Sequence, residues 1–146
     1  MEFMYLIMNR NNKEKFKRDN NGIILENVII EIHKNLEFIS KIEQSEKRFK
    51  ETYEFTNGKF NYYYLEKSLD IIENQSIRQR IFSALDLIKQ SNQIIERSDN
   101  LFIPVTKEQI EIYNKLNQDA IGTLVTNNKN IKNYLDFIEN NLIIEQ

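Results

Sequence analysis

Residues 23–42 read IILENVIIEIHKNLEFISKI, and this stretch decides the fold. Leu25, Val28, Ile29, Ile32, Leu36, Ile39 and Ile42 recur at steps of three and four residues. That spacing lays one apolar stripe along a helix and leaves the opposite face to charged and amide side chains. From Lys41 the sequence KIEQSEKRFKE is mostly charged, so the helix is expected to run on, solvated, to about residue 50.

Towards the N-terminus, residues 9–22 (NRNNKEKFKRDNNG) are polar, rich in Asn and end on Gly22. They read as a linker or frayed arm. The expected partition is an arm at 1–22 and a helical bundle domain at 23–146. Phe3 to Met8 (FMYLIM) is apolar but far shorter than the ~20 residues of a spanning helix. It also lacks the leading positive charge and the cleavage site of a secretory signal. The expected location is therefore cytoplasmic. Arg10, Lys13, Lys15, Lys17 and Arg18 follow that run, interrupted by Glu14 and Asp19. Basic residues beside an apolar segment contact anionic lipid, so membrane contact through the N-terminal segment is an alternative reading.

Towards the C-terminus, residues 52–64 (TYEFTNGKFNYYY) break the helical rhythm. Asn57-Gly58 is a hairpin signal that would face Phe55 with Phe60 and Tyr53 with Tyr62. The competing reading, to which we lean, is a helix ending at Asn57 with Gly58 as its left-handed cap. Helical spacing returns at Tyr64, Leu65, Leu69 and Ile72. Ser76-x-x-Gln79 and Thr106-x-x-Gln109 both have the form of capping boxes. Stripes follow each box: Ile77, Ile81, Ala84, Leu85, Ile88 and Ile95, then Ile110, Tyr113, Leu116, Ala120, Ile121 and Leu124. Pro104 separates them, TNNKN (126–130) reads as a loop, and Ile131, Tyr134, Leu135, Ile138 and Leu142 form a last stripe. The expectation is an all-α, single-domain antiparallel helical bundle of about five helices, at 23–50, 60–73, 76–98, 106–126 and 129–144. A small β-hairpin at 52–64 is the alternative for the break.

The chain of 146 residues has no Cys, no Trp, one His, one Pro and three Gly. Without cysteine there are neither disulfides nor thiolate metal sites. A formal charge of −2 is too mild for an acidic DNA mimic and has the wrong sign for a whole-surface phosphate binder, so nucleic acid is not an expected partner. The bias to Ile, Asn and Lys follows AT-rich codons and points to an AT-rich bacterium, its phage or another mobile element.

The candidate chemistry is sparse. His33 lies beside the first stripe with Glu37 one turn on, a spacing that a boundary histidine shares with an oriented general base. Helical nucleases of the HEPN type need an Arg a few residues ahead of the His, but Asn27, Val28 and Ile29 stand there. Carboxylate-bridged di-iron bundles need Glu-x-x-His, but position 30 is Ile30. Glu43-x-x-Glu46 and Asp70-x-x-Glu73 each set two acids on one helix face. In those four residues the chain resembles MazG-like nucleotide pyrophosphohydrolases, a resemblance that implies Mg²⁺ held between helices. Ordinary solvated faces show the same spacing, and no metal or cofactor is expected. Residues 24–39 and 77–96 together resemble bacterial helical domains found next to membrane helices, which implies no activity.

The strongest candidate for a contact surface is the aromatic run Phe60, Tyr62, Tyr63 and Tyr64. Tyrosine buries a large area at low entropic cost and keeps a polar tip. Three consecutive tyrosines cannot all face one core, so at least one must face outward. The expected function is therefore a non-enzymatic, protein-binding helical protein that meets a partner or a second copy through these residues. A phage or mobile-element accessory protein, such as an anti-CRISPR-like inhibitor of a host defence nuclease, fits the composition. The alternatives are a membrane-proximal helical interaction module and a divergent MazG-like hydrolase.

Overall fold

A computed structural model describes residues 12–47, 58–99 and 103–145, with side chains described over 21–44, 58–98 and 103–142. Among these residues there are four helices and no strand: α1 (Asn12–Lys47), α2 (Tyr63–Ser68), α3 (Gln75–Asp99) and α4 (Lys107–Glu145). The fold is all-α, as the stripes require.

The three long helices each bury a seam whose steps alternate between four and three residues. On α1 the seam is Val28, Ile32, Asn35, Ile39 and Ile42; on α3 it is Ile77, Ile81, Ala84, Ile88, Ser91, Ile95 and Ser98. On α4 it runs Asn117, Ile121, Leu124, Asn128, Ile131, Leu135, Ile138 and Leu142. This 3.5-residue period is that of knobs-into-holes packing. Each fully buried Ile or Leu contributes roughly 1.5–3 kcal/mol through lost apolar exposure.

Two side-chain contacts give the relative direction of α3 and α4. Arg80 lies over the ring of Phe137, and further along α3 Ser91 accepts a hydrogen bond from Asn127. Rising numbers on one helix meet falling numbers on the other, so the pair is antiparallel. α1 packs on both α2 and α4.

Several expected boundaries are corrected. The polar segment assigned to an arm is helical from Asn12 onward and continuous with α1, with Gly22 buried inside the helix. Lys, Glu and Arg are good helix formers, and one interior Gly costs only about 1 kcal/mol. The loop expected at TNNKN is absent, and α4 runs through it as one helix of 39 residues. Buried Leu124, Asn128 and Ile131 carry the seam across, and the Thr126 hydroxyl is satisfied by the Gly122 carbonyl at 3.1 Å. Among the described residues there are thus four helices where five were expected.

The expected hairpin is also not seen. Residues 52–57 lie outside the described residues, and 58–62 form neither strand nor helix. The helix expected at 60–73 shrinks to Tyr63–Ser68, because the backbone groups of Phe60 and Asn61 before it are taken by side chains of α3 and α1. Of the two capping boxes, Thr106/Gln109 forms. Gln109 N donates to Thr106 Oγ1 at 3.2 Å, and Gln109 Oε1 accepts from Thr106 N at 3.2 Å and from Val105 N at 2.9 Å. At α3 the cap is Asn74, whose Oδ1 accepts from Ile77 N at 3.1 Å, while Ser76 and Gln79 are exposed.

Candidate functional site

The segment from Gly58 to Leu65 crosses from α1 to α3 as a strap, held by side chains rather than by a backbone ladder. Asn35 of α1 accepts from Asn61 N at 2.9 Å and donates to Asn61 O at 2.5 Å. Asn92 of α3 accepts from Phe60 N at 2.8 Å and donates to Phe60 O at 3.1 Å. Each amide therefore satisfies both backbone groups of one residue, as a neighbouring strand would.

The Glu31 carboxylate of α1 takes over where the strap enters α2. Tyr64 N donates to it at 3.2 Å and Leu65 N at 2.8 Å. Those N–H groups belong to a first turn that has no side-chain cap of its own. Burial pushes the Glu31 carboxyl above its ordinary range, and the N–H groups of Leu65, Tyr64 and Tyr63 offset this only in part. At the far end of α2, Arg78 donates to the carbonyls of Leu69 and Ile72.

The aromatic run divides on this frame. Phe60 is a core side chain, buried and edge-on to Phe38 with ring centroids 4.8 Å apart. It has no surface to offer a partner, contrary to its expected place on the contact face. Gly58 belongs to the same arrangement, since a Cβ there would lie 2.8 Å from Phe38 Cε1. Tyr62 and Tyr64 are half-buried against the core, and Lys89 lies over the Tyr62 ring at 5.4 Å. Tyr63 is the outward tyrosine, 59% exposed. Its ring stands edge-on to Tyr64 at 5.0 Å, with the Lys67 ammonium 4.9 Å from its centroid. Hydrogen bonding to Tyr63 raises the Lys67 pKa above the usual lysine value.

Tyr63 opens on a shallow cleft of about 280 Å³ between Asn27, Ile30 and Lys34 of α1 and Asn61, Tyr63 and Tyr64 of the strap. Ile30 is itself 47% exposed there. The cleft joins an aromatic face, an aliphatic side chain, the Glu31 carboxylate and the exposed Lys34 ammonium, with Lys67 against the Tyr63 ring beside it.

The remaining candidates are not brought together. His33 Nε2 meets Glu139 of α4 at 2.7 Å rather than Glu37. Glu43, Asp70 and Glu73 are exposed, and the Glu46 side chain lies outside the described residues. The described residues hold no group of three or more His, Asp or Glu side chains placed to share a metal ion. Arg10 and Phe3–Met8 lie outside the described residues, as do the side chains of Lys13, Lys15, Lys17 and Arg18; among the described residues no helix is long and apolar enough to cross a membrane.

Glu31, Asn35 and Asn92 were not singled out from the sequence. Asn35 carried a readable signal, since it falls on the α1 seam between Ile32 and Ile39, where an apolar residue is otherwise expected. No protein-family model, curated protein or solved structure matches the chain.

Proposed function

We propose that the chain is a non-enzymatic protein-binding module whose contact face is centred on Tyr63. The observation that carries this reading is the contrast within one aromatic run. Phe60 is core, Tyr62 and Tyr64 lean on the core, and Tyr63 stands exposed over a cleft beside exposed Ile30. A rigidly mounted tyrosine with one free face is the residue type that anchors interfaces. Lys34 and Lys67 near it favour a partner that offers an apolar side chain flanked by carboxylates. A phage or mobile-element accessory role, including inhibition of a host defence nuclease, is the biological setting that the AT-rich residue usage supports.

The test places a photoreactive phenylalanine analogue at position 63 and, as a control, at Ser40, and expresses each in the source cell. Adducts to one protein from position 63 and none from position 40 are expected. Tyr63→Ala should then weaken that complex by roughly 1–3 kcal/mol and change folding stability by only about 0.5 kcal/mol. Failure to cross-link at 63 would remove the reading. So would a Tyr63→Ala variant as unstable as Leu65→Ala.

A further inference from the structure

We propose that α4 carries a hinge at TNNKN (126–130), about which its first half, residues 107–125, swings off α3 as one unit while its second half stays packed. The device is independent of the Tyr63 face. Helix propensity and burial change together at this point. Thr126, Asn127, Asn128 and Asn130 are all poor helix formers. The Thr123 and Thr126 hydroxyls donate to the carbonyls of Asp119 and Gly122, each at 3.1 Å. A hydroxyl bonded one turn back loosens the backbone ladder and favours a bend.

The two halves of α4 also bury different things. After the hinge the seam is Ile131, Leu135, Ile138 and Leu142, and α3 between Ile77 and Ile88, antiparallel to it, buries only apolar side chains. Before the hinge the seam is Asn117, Ile121 and Leu124, and α3 answers with Ser91, Ile95 and Ser98. Serine and asparagine supply little apolar area, so the first half gains much less from leaving water. Asn117 and, in the hinge itself, Asn128 are buried with no hydrogen-bond partner among the described residues. Swinging out hydrates both amides and so removes a desolvation cost that is absent from the seam beyond Ile131. The Asn127 bond to Ser91, at 3.2 Å, is neutral and is exchanged for water at little net cost. α3 does not follow, because Asn92 holds it to both backbone groups of Phe60. Once detached, a segment of about twenty residues is marginal as a helix in water, so its amides open together. The opened state bares Ile95, Ile121 and Leu124, which the closed bundle hides.

The test is amide hydrogen exchange of the full chain, followed by NMR. Protection along α4 should show a step at 126–130, with Ile121 and Leu124 sharing one opening equilibrium and exchanging at least about ten-fold faster than Leu135 and Ile138. Ile138→Val should speed exchange at Leu135 by about three- to ten-fold and leave Ile121 and Leu124 unchanged, since their opening does not disturb that residue. Asn128→Leu should slow Ile121 and Leu124 by about ten-fold, because it carries the apolar seam across the hinge. Equal protection on both sides of the hinge, or a gradual rise from Lys107 to Ile131 as in end fraying, would overturn the proposal. So would an Ile138→Val variant in which Ile121 and Leu124 accelerate as much as Leu135, or a folded Asn128→Leu variant whose Ile121 and Leu124 exchange no more slowly. The wild-type profile and the Ile138→Val comparison decide the question even where Asn128→Leu does not fold.

Discussion

Asparagine is buried in two regions of this molecule with opposite consequences. On the strap, Asn35 is nine-tenths or more buried, Asn92 is half-buried, and each amide is reciprocally bonded to a backbone residue. On α4, Asn117 and Asn128 are just as buried as Asn35, yet neither amide oxygen nor amide nitrogen has a hydrogen-bond partner among the described residues. The same side chain fixes a register in one place and carries an unrepaid desolvation cost in the other. Burial of a polar group is therefore informative only together with what it touches.

Two paired substitutions would break that comparison. Asn35→Ala strips both backbone groups of Asn61 of their partner and should destabilise by about 2–4 kcal/mol in urea denaturation. Asn128→Leu replaces an amide that has no partner among the described residues, within an apolar seam, and should stabilise by about 1–2 kcal/mol. If both change stability in the same direction, the contrast between the regions is wrong.

The glycines give a second, smaller pair. Gly58→Ala drives a Cβ into the Phe38 ring and should cost about 1–3 kcal/mol by disturbing the Phe38–Phe60 contact. Gly122→Ala meets no atom within 4 Å and lies inside α4, so it should stabilise by about 0.5–1 kcal/mol. Thermal unfolding of the two variants side by side separates a glycine required by packing from one that is merely tolerated.

The smallest effect sharpens the strap itself. Glu31 titrates above its ordinary range in the folded chain, so the folded state binds its proton more tightly than the unfolded state does. Its contribution is fully present below the unfolded pKa and is lost as pH rises through the raised folded value. The stability of wild type relative to the isosteric, non-titrating Glu31→Gln should therefore fall from mild acid towards neutrality. A difference that is flat in pH, or that grows, would contradict the assigned direction.

The long helices were legible because burial imposes a spacing. Ile32, Ile39, Ile81, Ile88, Leu135 and Ile138 could be read as core before any coordinates, since a helix has no other way to hide them. The Thr106/Gln109 box was legible for a similar reason, as its two bonds are local. TNNKN misled because its composition suits a turn, whereas the seam on either side continues across it and tertiary packing overrides propensity. The strap was illegible because its partners are distant: Asn35, Asn92 and Glu31 act on residues 26 to 34 positions away. Tyr63 was read correctly as one member of a divided set, but which tyrosine faced out depended on that same long-range fastening.

The strap also supplies a built-in reporter. The amides of Phe60 and Asn61 belong to no helix or strand, and those of Tyr64 and Leu65 open a helix of only six residues. Irregular segments of this kind ordinarily exchange their amide hydrogens with solvent rapidly. Here each of the four is bonded to a side chain rooted in α1 or α3. Their exchange therefore waits for those long helices to separate, so four slowly labelled positions in an otherwise fast-labelling stretch would time the opening of the bundle as a whole.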